Sequence, residues 1–207
     1  MLAVPGSSER FIEKSRGLPV DALFLDLEDA VAPAAKVDAR AQIVAALKQG
    51  GWQAPTITVR VNDWDTPWTT ADVLEVVGGA GAHIDAIVLP KVRTAEQVIA
   101  LEMVLGQAEA SVGLPVGRIG LEVQIEEAQG LQQVDAIAAA SPRLETLVFG
   151  PGDFMASMGM RGLSVGSQID GYDADAFHYV LSRILVAARA NSLQAIDRPY
   201  VSIRDLP

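Results

Sequence analysis

Charged side chains follow several apolar segments of the chain, and their types suit metal and anion chemistry. Glu126 comes directly after the predicted strand that ends near Val123 and Ile125, and Asp153 follows another apolar run after Gly150-Pro151-Gly152. Two carboxylates brought together from neighbouring strands offer the oxygen ligands that Mg²⁺ prefers. Arg60 ends another apolar run, and its guanidinium can hold a carboxylate through two parallel hydrogen bonds. These residue types indicate a magnesium site and an anionic ligand.

Each of these residues also has an ordinary structural role that the sequence leaves open. Glu126 could favour the dipole of a helix that starts beside it, and Asp153 could cap the next helix. Arg60 could instead form a salt bridge with the acids of the segment 26–29, which packs Asp26, Glu28 and Asp29 closely together. Such a cluster of acids is costly unless a cation or a metal ion offsets its charge.

Lys91 raises a rival chemistry, because a desolvated lysine at a strand end can form a Schiff base. The acids predicted around it raise the pKa of its amine and disfavour the neutral form that a Schiff base needs. An ion pair is therefore the favoured role of Lys91.

Seven apolar segments alternate with helical patterns along the chain, and each is predicted to be a strand. They are Leu2–Val4, Ala22–Leu25, Thr56–Val61, Ile84–Leu89, Arg118–Val123, Thr146–Phe149 and one within Leu193–Val201. Their nearly continuous apolar character is typical of parallel strands that are buried on both faces. The alternation predicts an α/β fold, first a (β/α)8 TIM barrel and second a doubly wound sheet. In a barrel the carboxyl ends of the strands meet at one rim, where active sites lie.

Composition and charge exclude several classes of chemistry and partner. The net charge of −10 disfavours nucleic acid and anionic membranes as partners. The absence of cysteine excludes disulfides, a cysteine nucleophile and thiolate metal sites, and the two histidines are too few for a histidine-rich zinc site. No apolar run is long enough to span a membrane, and the sequence begins without a signal-peptide pattern. We therefore expect a cytoplasmic protein.

Several motifs occur in the order that is typical of one enzyme family. They are Val4-Pro5-Gly6, the segments 21–33 and 36–40, Val59-Arg60-Val61-Asn62, Leu89-Pro90-Lys91, the segment 125–130 and Phe149-Gly150-Pro151-Gly152-Asp153. With these motifs the sequence resembles the citrate lyase β-subunit / malyl-CoA lyase family of the HpcH/HpaI aldolase superfamily. The resemblance runs from Leu2 to about Asp205.

The resemblance implies a (β/α)8 barrel that acts on CoA thioesters with Mg²⁺, with Mn²⁺ as the alternative ion. It implies Glu126 and Asp153 as metal ligands, with Glu126 also close to the substrate. It implies Arg60 as the residue that contacts the carboxylate or oxo group of the substrate.

The remaining roles also follow from the resemblance. The basic residues Arg10 and Lys14, after the Pro5-Gly6 turn, are candidates for binding the CoA portion.

Asp26, Glu28 and Asp29 would support Arg60 and the water ligands of the metal. The chemistry also needs a catalytic base, for which Glu28, Asp29 and the family's C-terminal segment are the candidates.

The chemistry implied is reversible aldol- or Claisen-type carbon–carbon cleavage of a 3-hydroxyacyl-CoA. Malyl, methylmalyl, citramalyl and citryl groups all fit. Two alternatives stay open: a metal-dependent aldolase that acts on free oxo acids, and a CoA-ester thioesterase or binding protein on the same scaffold.

Seven predicted strands fall short of the eight that close a barrel, and the resemblance also ends before the family's eighth strand. A missing strand would leave two unpaired edges and expose apolar side chains to water. We therefore expect residues 1–207 to form a single TIM-barrel domain that is incomplete at its C-terminal end. We also expect the native polypeptide to be longer or its seam to be covered by another chain, with formation of a homo-oligomer.

Overall fold

A computed structural model describes residues 1–160 and 175–199 of the chain. Its seven strands form one sheet, and their order in the sheet is the order of the sequence. The strands are β1 (Leu2–Pro5), β2 (Ala22–Asp26), β3 (Thr56–Arg60), β4 (Ala86–Leu89), β5 (Gly120–Ile125), β6 (Leu144–Phe149) and β7 (Gln194–Ile196). Pairing is parallel from β1 through β4 and between β6 and β7.

Helices separate the strands. They are α1 (Glu9–Arg16), α2 (Lys36–Gln49), α3 (Thr69–Ala80), α4 (Ala95–Ser111), α5 (Ala128–Gln132), α6 (Val134–Ala138), α7 (Pro151–Ser157) and α8 (His178–Ala190). Short 3-10 turns precede α2 at Pro33–Ala35 and follow α3 at Gly81–His83. Within the described ranges no helix is both long enough and apolar enough to cross a membrane.

The strand order confirms the predicted α/β class and decides between its two versions. A doubly wound sheet reverses its strand order at a switch point, whereas a TIM barrel adds each strand beside the previous one. The observed order never reverses. The fold is therefore of the (β/α)8 type, with seven strands in the described part of the chain.

Two compact units make up the chain, one of residues 1–90 and 99–121 and the other of residues 91–98 and 122–207. The first contains β1 to β4 with α1 to α3, and the second contains β6 and β7 with α5 to α8. A single-domain organisation over residues 1–207 stays a prediction.

Local signals in the sequence begin and end the helices of the first unit. The Ser8 hydroxyl caps α1 by accepting a hydrogen bond from the Phe11 amide at 3.4 Å. Gly50, with a φ of 66°, ends α2 in a left-handed conformation that favours glycine. Helix α2 packs against α3, and the core of the unit is aliphatic.

The ends of two helices follow from competing local signals. Helix α4 continues past Gly106 to Ser111, because a single glycine is too weak a breaker to stop a helix whose buried face continues. Helix α7 was expected after Asp153 but begins at Pro151, since proline suits the first position of a helix. Asp153 therefore lies within the first turn rather than before it.

Glu122 on β5 is an acidic side chain in an apolar setting. It is 5% exposed, and its Oε2 atom has no hydrogen-bond partner among the described residues. Burial, together with the nearby charge of Glu145, raises the pKa of Glu122 to about 7, although a hydrogen bond with Thr146 opposes the rise. The ionised form of Glu122 therefore destabilises the folded chain.

Glu122→Gln is expected to stabilise the protein in a pH-dependent way. Because the folded state holds this proton more tightly than the unfolded state does, the penalty is absent below the ordinary pKa of 4.5 and grows until the pH passes about 7. The variant should gain up to about 3 kcal/mol in unfolding free energy at pH 8 and almost nothing at pH 4. Urea denaturation at both pH values measures this, with the exposed Glu9→Gln as the control. Identical curves for variant and parent at pH 8 would contradict the assignment.

Candidate active site

An arginine–aspartate pair links the ends of two neighbouring strands in the first unit. Arg60, the last residue of β3, is in register with Asp26, the last residue of β2. Its Nε atom lies 2.7 Å from Asp26 Oδ1, and its Nη2 atom lies 2.7 Å from Oδ2. The guanidinium thus binds the carboxylate with both arms of its fork, which fixes its plane.

Asp26 is held by the backbone as well as by Arg60. The amides of Glu28 and Ala30 donate to its two oxygens at 2.9 and 3.0 Å. Burial by itself would raise the pKa of Asp26, but the hydrogen bonds and charge of Arg60 and these amides bring it below its ordinary value. Asp26 is therefore a fixed negative charge at neutral pH.

Glu28 adds a second carboxylate to the same guanidinium. Its Oε2 atom lies 3.2 Å from Arg60 Nη1, and the Glu28 side chain is 6% exposed. The salt bridge with the acids of segment 26–29, one of the two roles considered for Arg60, is thus present. Asp29 differs from these acids because it is exposed.

In the second unit, a buried carboxylate lies against backbone that only glycine permits. Glu126 follows β5, is 3% exposed, and accepts a hydrogen bond of 2.8 Å from the Lys91 amide. Gly150 follows β6, and a Cβ atom there would overlap Glu126 Oε2. Lys91 has a φ of 51°, a conformation that few residues other than glycine adopt. The carboxylate is therefore seated between two unusual pieces of backbone.

Asp153 lies close to the same lysine. The Asp153 Oδ2 atom is 3.4 Å from Lys91 Nζ, and the Asp153 side chain is 38% exposed. Helix α7 starts from Gly150 without a side-chain cap, so the capping role considered for Asp153 is wrong. The ion pair favours the charged form of Lys91 and agrees with the role preferred for it over Schiff-base formation.

The pair Glu126 and Asp153 fits a divalent cation by the chemistry of its donors. Both side chains offer carboxylate oxygens, and Lys91 touches both, through its amide and its ammonium group. Mg²⁺ commonly binds one or two carboxylates and fills its other positions with water or substrate oxygens. The described part of the chain holds no group of three or more acidic, histidine or cysteine side chains suited to a metal. A cation at this position would rely on the pair.

The residues expected to bind CoA lie on α1. Arg10 and Lys14 are both exposed, and Lys14 lines a cavity of about 370 Å³ together with β1 and with Phe11. The cavity wall is otherwise mainly apolar. A role for Arg10 and Lys14 in binding CoA stays a prediction.

Arg60, Asp26 and Glu28 form what we call the Arg60 cluster. Sequence reasoning missed the residues that hold the backbone of this cluster in place. Lys36 is 5% exposed and donates from Nζ to the carbonyls of Leu27 and Glu28, both at 2.7 Å. Asn62 Nδ2 donates to the same Leu27 carbonyl at 3.0 Å. Lys36 belongs to a motif quoted for the family resemblance, but a lysine on a helix is normally exposed, and nothing in the sequence signalled its burial.

The family model described as HpcH/HpaI aldolase/citrate lyase matches residues 1–206 of this chain. This chain belongs to that family. The resemblance inferred from the motifs is confirmed.

Two curated relatives cover nearly the whole chain. The L-malyl-CoA/beta-methylmalyl-CoA lyase of Rhodobacter capsulatus is 37% identical over 210 residues, covering 97% of this chain and 66% of that protein. The (3S)-malyl-CoA thioesterase of Cereibacter sphaeroides is 38% identical over 207 residues, covering 99% of this chain and 64% of that protein. The chain thus spans about two thirds of the length of these family members.

A solved structure shares the fold at a similar level of coverage. The CitE protein of Mycobacterium tuberculosis, determined in complex with magnesium and acetate, superposes with a TM-score of 0.74 at 28% identity. The match covers 99% of this chain and 74% of that one.

Asp26→Asn is expected to destabilise the fold by about 3 kcal/mol at pH 7, because it leaves the buried Arg60 charge poorly balanced. The pKa of Asp26 is lowered in the folded state, so its stabilising effect is present above the ordinary value of 3.8 and is lost as the pH falls through the folded value. The difference from the parent should therefore be constant from pH 7 to about pH 5 and shrink only below about pH 4. Chemical denaturation across this range is the measurement.

Asp29→Asn is the matched control, since it removes a neighbouring acid that is exposed. It should cost less than about 0.5 kcal/mol at any pH. Equal losses for the two variants would show that the Asp26–Arg60 pair has no special place in the stability of the chain.

Proposed function

We propose that this protein is a magnesium-dependent carbon–carbon lyase. It reversibly cleaves a 3-hydroxyacyl-CoA, such as malyl-, citramalyl- or citryl-CoA, by aldol- or Claisen-type chemistry. The observation that carries the proposal is the Glu126 carboxylate, buried against Gly150 and linked through Lys91 to Asp153. Membership of the family and 37% identity to a malyl-CoA/beta-methylmalyl-CoA lyase support it.

Glu126 and Asp153 would hold the cation. A bound Mg²⁺ supplies Lewis acidity toward the oxygen of a hydroxy or oxo acid and a fixed point for its orientation. Burial of Glu126 keeps one ligand rigid, whereas the partly exposed Asp153 leaves an approach for the ligand. Glu126 is also proposed to lie beside the bound substrate.

Arg60 is proposed to bind the carboxylate or oxo group of the substrate and to balance the negative charge that moves during cleavage. Asp26 and Glu28 hold its guanidinium in one plane before the ligand arrives. Such preorganisation lowers the cost of reorienting charged groups during the reaction.

A base must take the hydroxyl proton in cleavage or a methyl proton in condensation. Glu28 and Asp29 are the proposed candidates. The Glu28 carboxylate is 3.2 Å from Arg60, so its charge helps to hold the guanidinium. Asp29 is exposed and open to a substrate, which favours it as the proton acceptor.

A second candidate function is hydrolysis of the CoA thioester. The 38% identity to a (3S)-malyl-CoA thioesterase favours it. In that reaction water attacks the thioester carbonyl, the carbon–sulfur bond breaks, and the products are the free acid and CoA. An aldolase acting on free oxo acids is the further alternative, and it would show no dependence on CoA.

Other properties of the whole protein are proposed on the same basis. Its small-molecule partner is a CoA thioester, with Arg10 and Lys14 contacting the CoA portion. It is proposed to be a cytoplasmic homo-oligomer without nucleic-acid or membrane partners, in keeping with its net charge of −10.

Incubation with malyl-, methylmalyl-, citramalyl- and citryl-CoA in the presence of Mg²⁺, with products read by mass, tests the function. A lyase releases an acyl-CoA and an oxo acid, a thioesterase releases free CoA and the intact hydroxy acid, and a free-acid aldolase leaves the CoA esters untouched.

Arg60→Lys keeps the positive charge but loses the two-armed guanidinium, so turnover should fall far more than the free energy of unfolding. Unchanged kinetics in that variant would make Arg60 a structural residue only.

Removal of either proposed ligand should weaken binding of the metal. Glu126→Gln and Asp153→Asn are expected to weaken Mn²⁺ binding, followed by paramagnetic resonance or calorimetry, by at least about tenfold, because each removes a charged oxygen ligand. Metal-dependent turnover should fall with it while circular dichroism stays unchanged. Normal Mn²⁺ affinity in both variants would place the metal elsewhere.

Gly150→Ala tests the seat of Glu126 without changing a ligand. Its Cβ atom would overlap the Glu126 carboxylate, so Mn²⁺ affinity should fall although both carboxylates remain. Gly78→Ala is the control, because a Cβ there meets no atom within 4 Å. Equal Mn²⁺ affinities in the two glycine variants would show that the position of Glu126 does not matter for the metal.

A further inference from the structure

Lys36 is a buried cation that makes its hydrogen bonds to backbone rather than to a carboxylate. Its Nζ atom donates to the carbonyls of Leu27 and Glu28 at 2.7 Å each, and it lies 5.3 Å from the centre of the Trp68 ring. It begins α2, directly after the 3-10 turn, so its backbone is anchored by a helix. A buried ammonium is costly unless nearby charges or hydrogen bonds offset the loss of water.

The carbonyls that Lys36 binds belong to the short segment that carries the acids of the Arg60 cluster. Asp26 immediately precedes Leu27, and the Glu28 side chain reaches Arg60. The Leu27 amide also donates to the Arg60 carbonyl at 2.9 Å. Lys36, at the start of α2, therefore holds the backbone of this segment in place through its two carbonyl groups.

Asn62 and Asp72 secure the same segment through a second chain of contacts. Asn62 Nδ2 donates to the Leu27 carbonyl at 3.0 Å and to Asp72 Oδ2 at 2.6 Å. Asp72 in turn accepts from Arg40 Nε at 2.6 Å. Lys36 and Arg40 lie four residues apart, and one turn of α2 thus supplies both cations.

The charges around Lys36 are mainly acidic. Burial, the largest effect, lowers the pKa of Lys36, and the negative charges of Asp26, Glu28, Asp72 and Asp29 oppose that shift. The attraction is mutual, so Lys36 balances part of the negative charge of these carboxylates. Arg60 and Arg40 are the other cations that pair with them.

We propose that Lys36 is a positioning residue for the active site, which holds Asp26 and Glu28 in the geometry that orients Arg60 toward an anionic substrate. By this proposal Lys36 does not contact the substrate. The proposal rests on the proposed function of Arg60. The positioning of Asp26 and Glu28 by Lys36 does not depend on which CoA ester is the substrate.

Lys36→Met tests the proposal because it keeps the length of the side chain and removes the ammonium. We expect kcat/KM to fall by about tenfold or more, and the acid limb of its pH profile to move upward, because Asp26 and Glu28 lose a neighbouring positive charge. Carbon-13 titration of the aspartate and glutamate carboxyls, with Asp26→Asn and Glu28→Gln to assign the signals, should show the same upward shift.

Arg118→Met is the matched structural control. Arg118 also donates to backbone carbonyls, those of Gly81, Ala82 and Ile84 at 2.7–3.0 Å, but it lies outside the cluster. Its loss should lower the melting temperature and leave the acid limb and the carboxyl titrations in place. If Lys36→Met behaves like Arg118→Met, Lys36 is only a structural residue and the proposal is wrong.

Chemical rescue completes the test, because the chain contains no cysteine. Lys36→Cys, alkylated with bromoethylamine while unfolded and then refolded, regains an ammonium group of nearly the same length at that single position. Activity and carboxyl titration should return toward the parent values, and a rescued fold without rescued titration would overturn the proposal. A parent that cleaves none of the CoA esters would refute the proposed function, while the carboxyl titration would still decide the role of Lys36.

Discussion

The two-armed hydrogen bond between Arg60 and Asp26 is the interaction on which the arrangement of charged groups in the first unit depends. It joins the last residues of two adjacent parallel strands, so the register of the sheet fixes the guanidinium. Burying this pair costs hydration free energy, and the backbone amides of Glu28 and Ala30 offset part of that cost at the carboxylate. The segment after β2 must therefore turn sharply around Asp26.

That turn explains why the surrounding residues are so restricted. Gly6 donates its amide to the Asp26 carbonyl at 2.8 Å, and a Cβ atom at Gly6 would overlap that carbonyl and Ile43. Lys36 on α2 and Asn62, which follows β3, both donate hydrogen bonds to the carbonyl of Leu27. Polar groups that close to the core would destabilise the fold if any remained unpaired, so the motifs that flank β1, β2 and β3 act as one unit.

Sequence alone predicted the strands and the charged residues at their ends, because both signals are local. A buried parallel strand appears as an apolar run, and a charged residue directly after it stands out, as Asp26, Arg60 and Glu126 do. The interactions behind the site could not be predicted, since the burial of Lys36 depends on how α2 packs. The start of α7 was also missed, because Pro151 and Asp153 both suit the beginning of a helix.

Lys91, which has a left-handed backbone conformation, contacts Glu126 and Asp153 through two different groups. The hydrogen bond to Glu126 comes from the main-chain amide, whereas the pairing with Asp153 comes from the ammonium group. Glycine and asparagine adopt this conformation readily, whereas valine and isoleucine do not. Evolution can therefore exchange the charge at position 91 for a neutral group without disturbing the seat of Glu126, but only along a narrow path through residues that tolerate a positive φ.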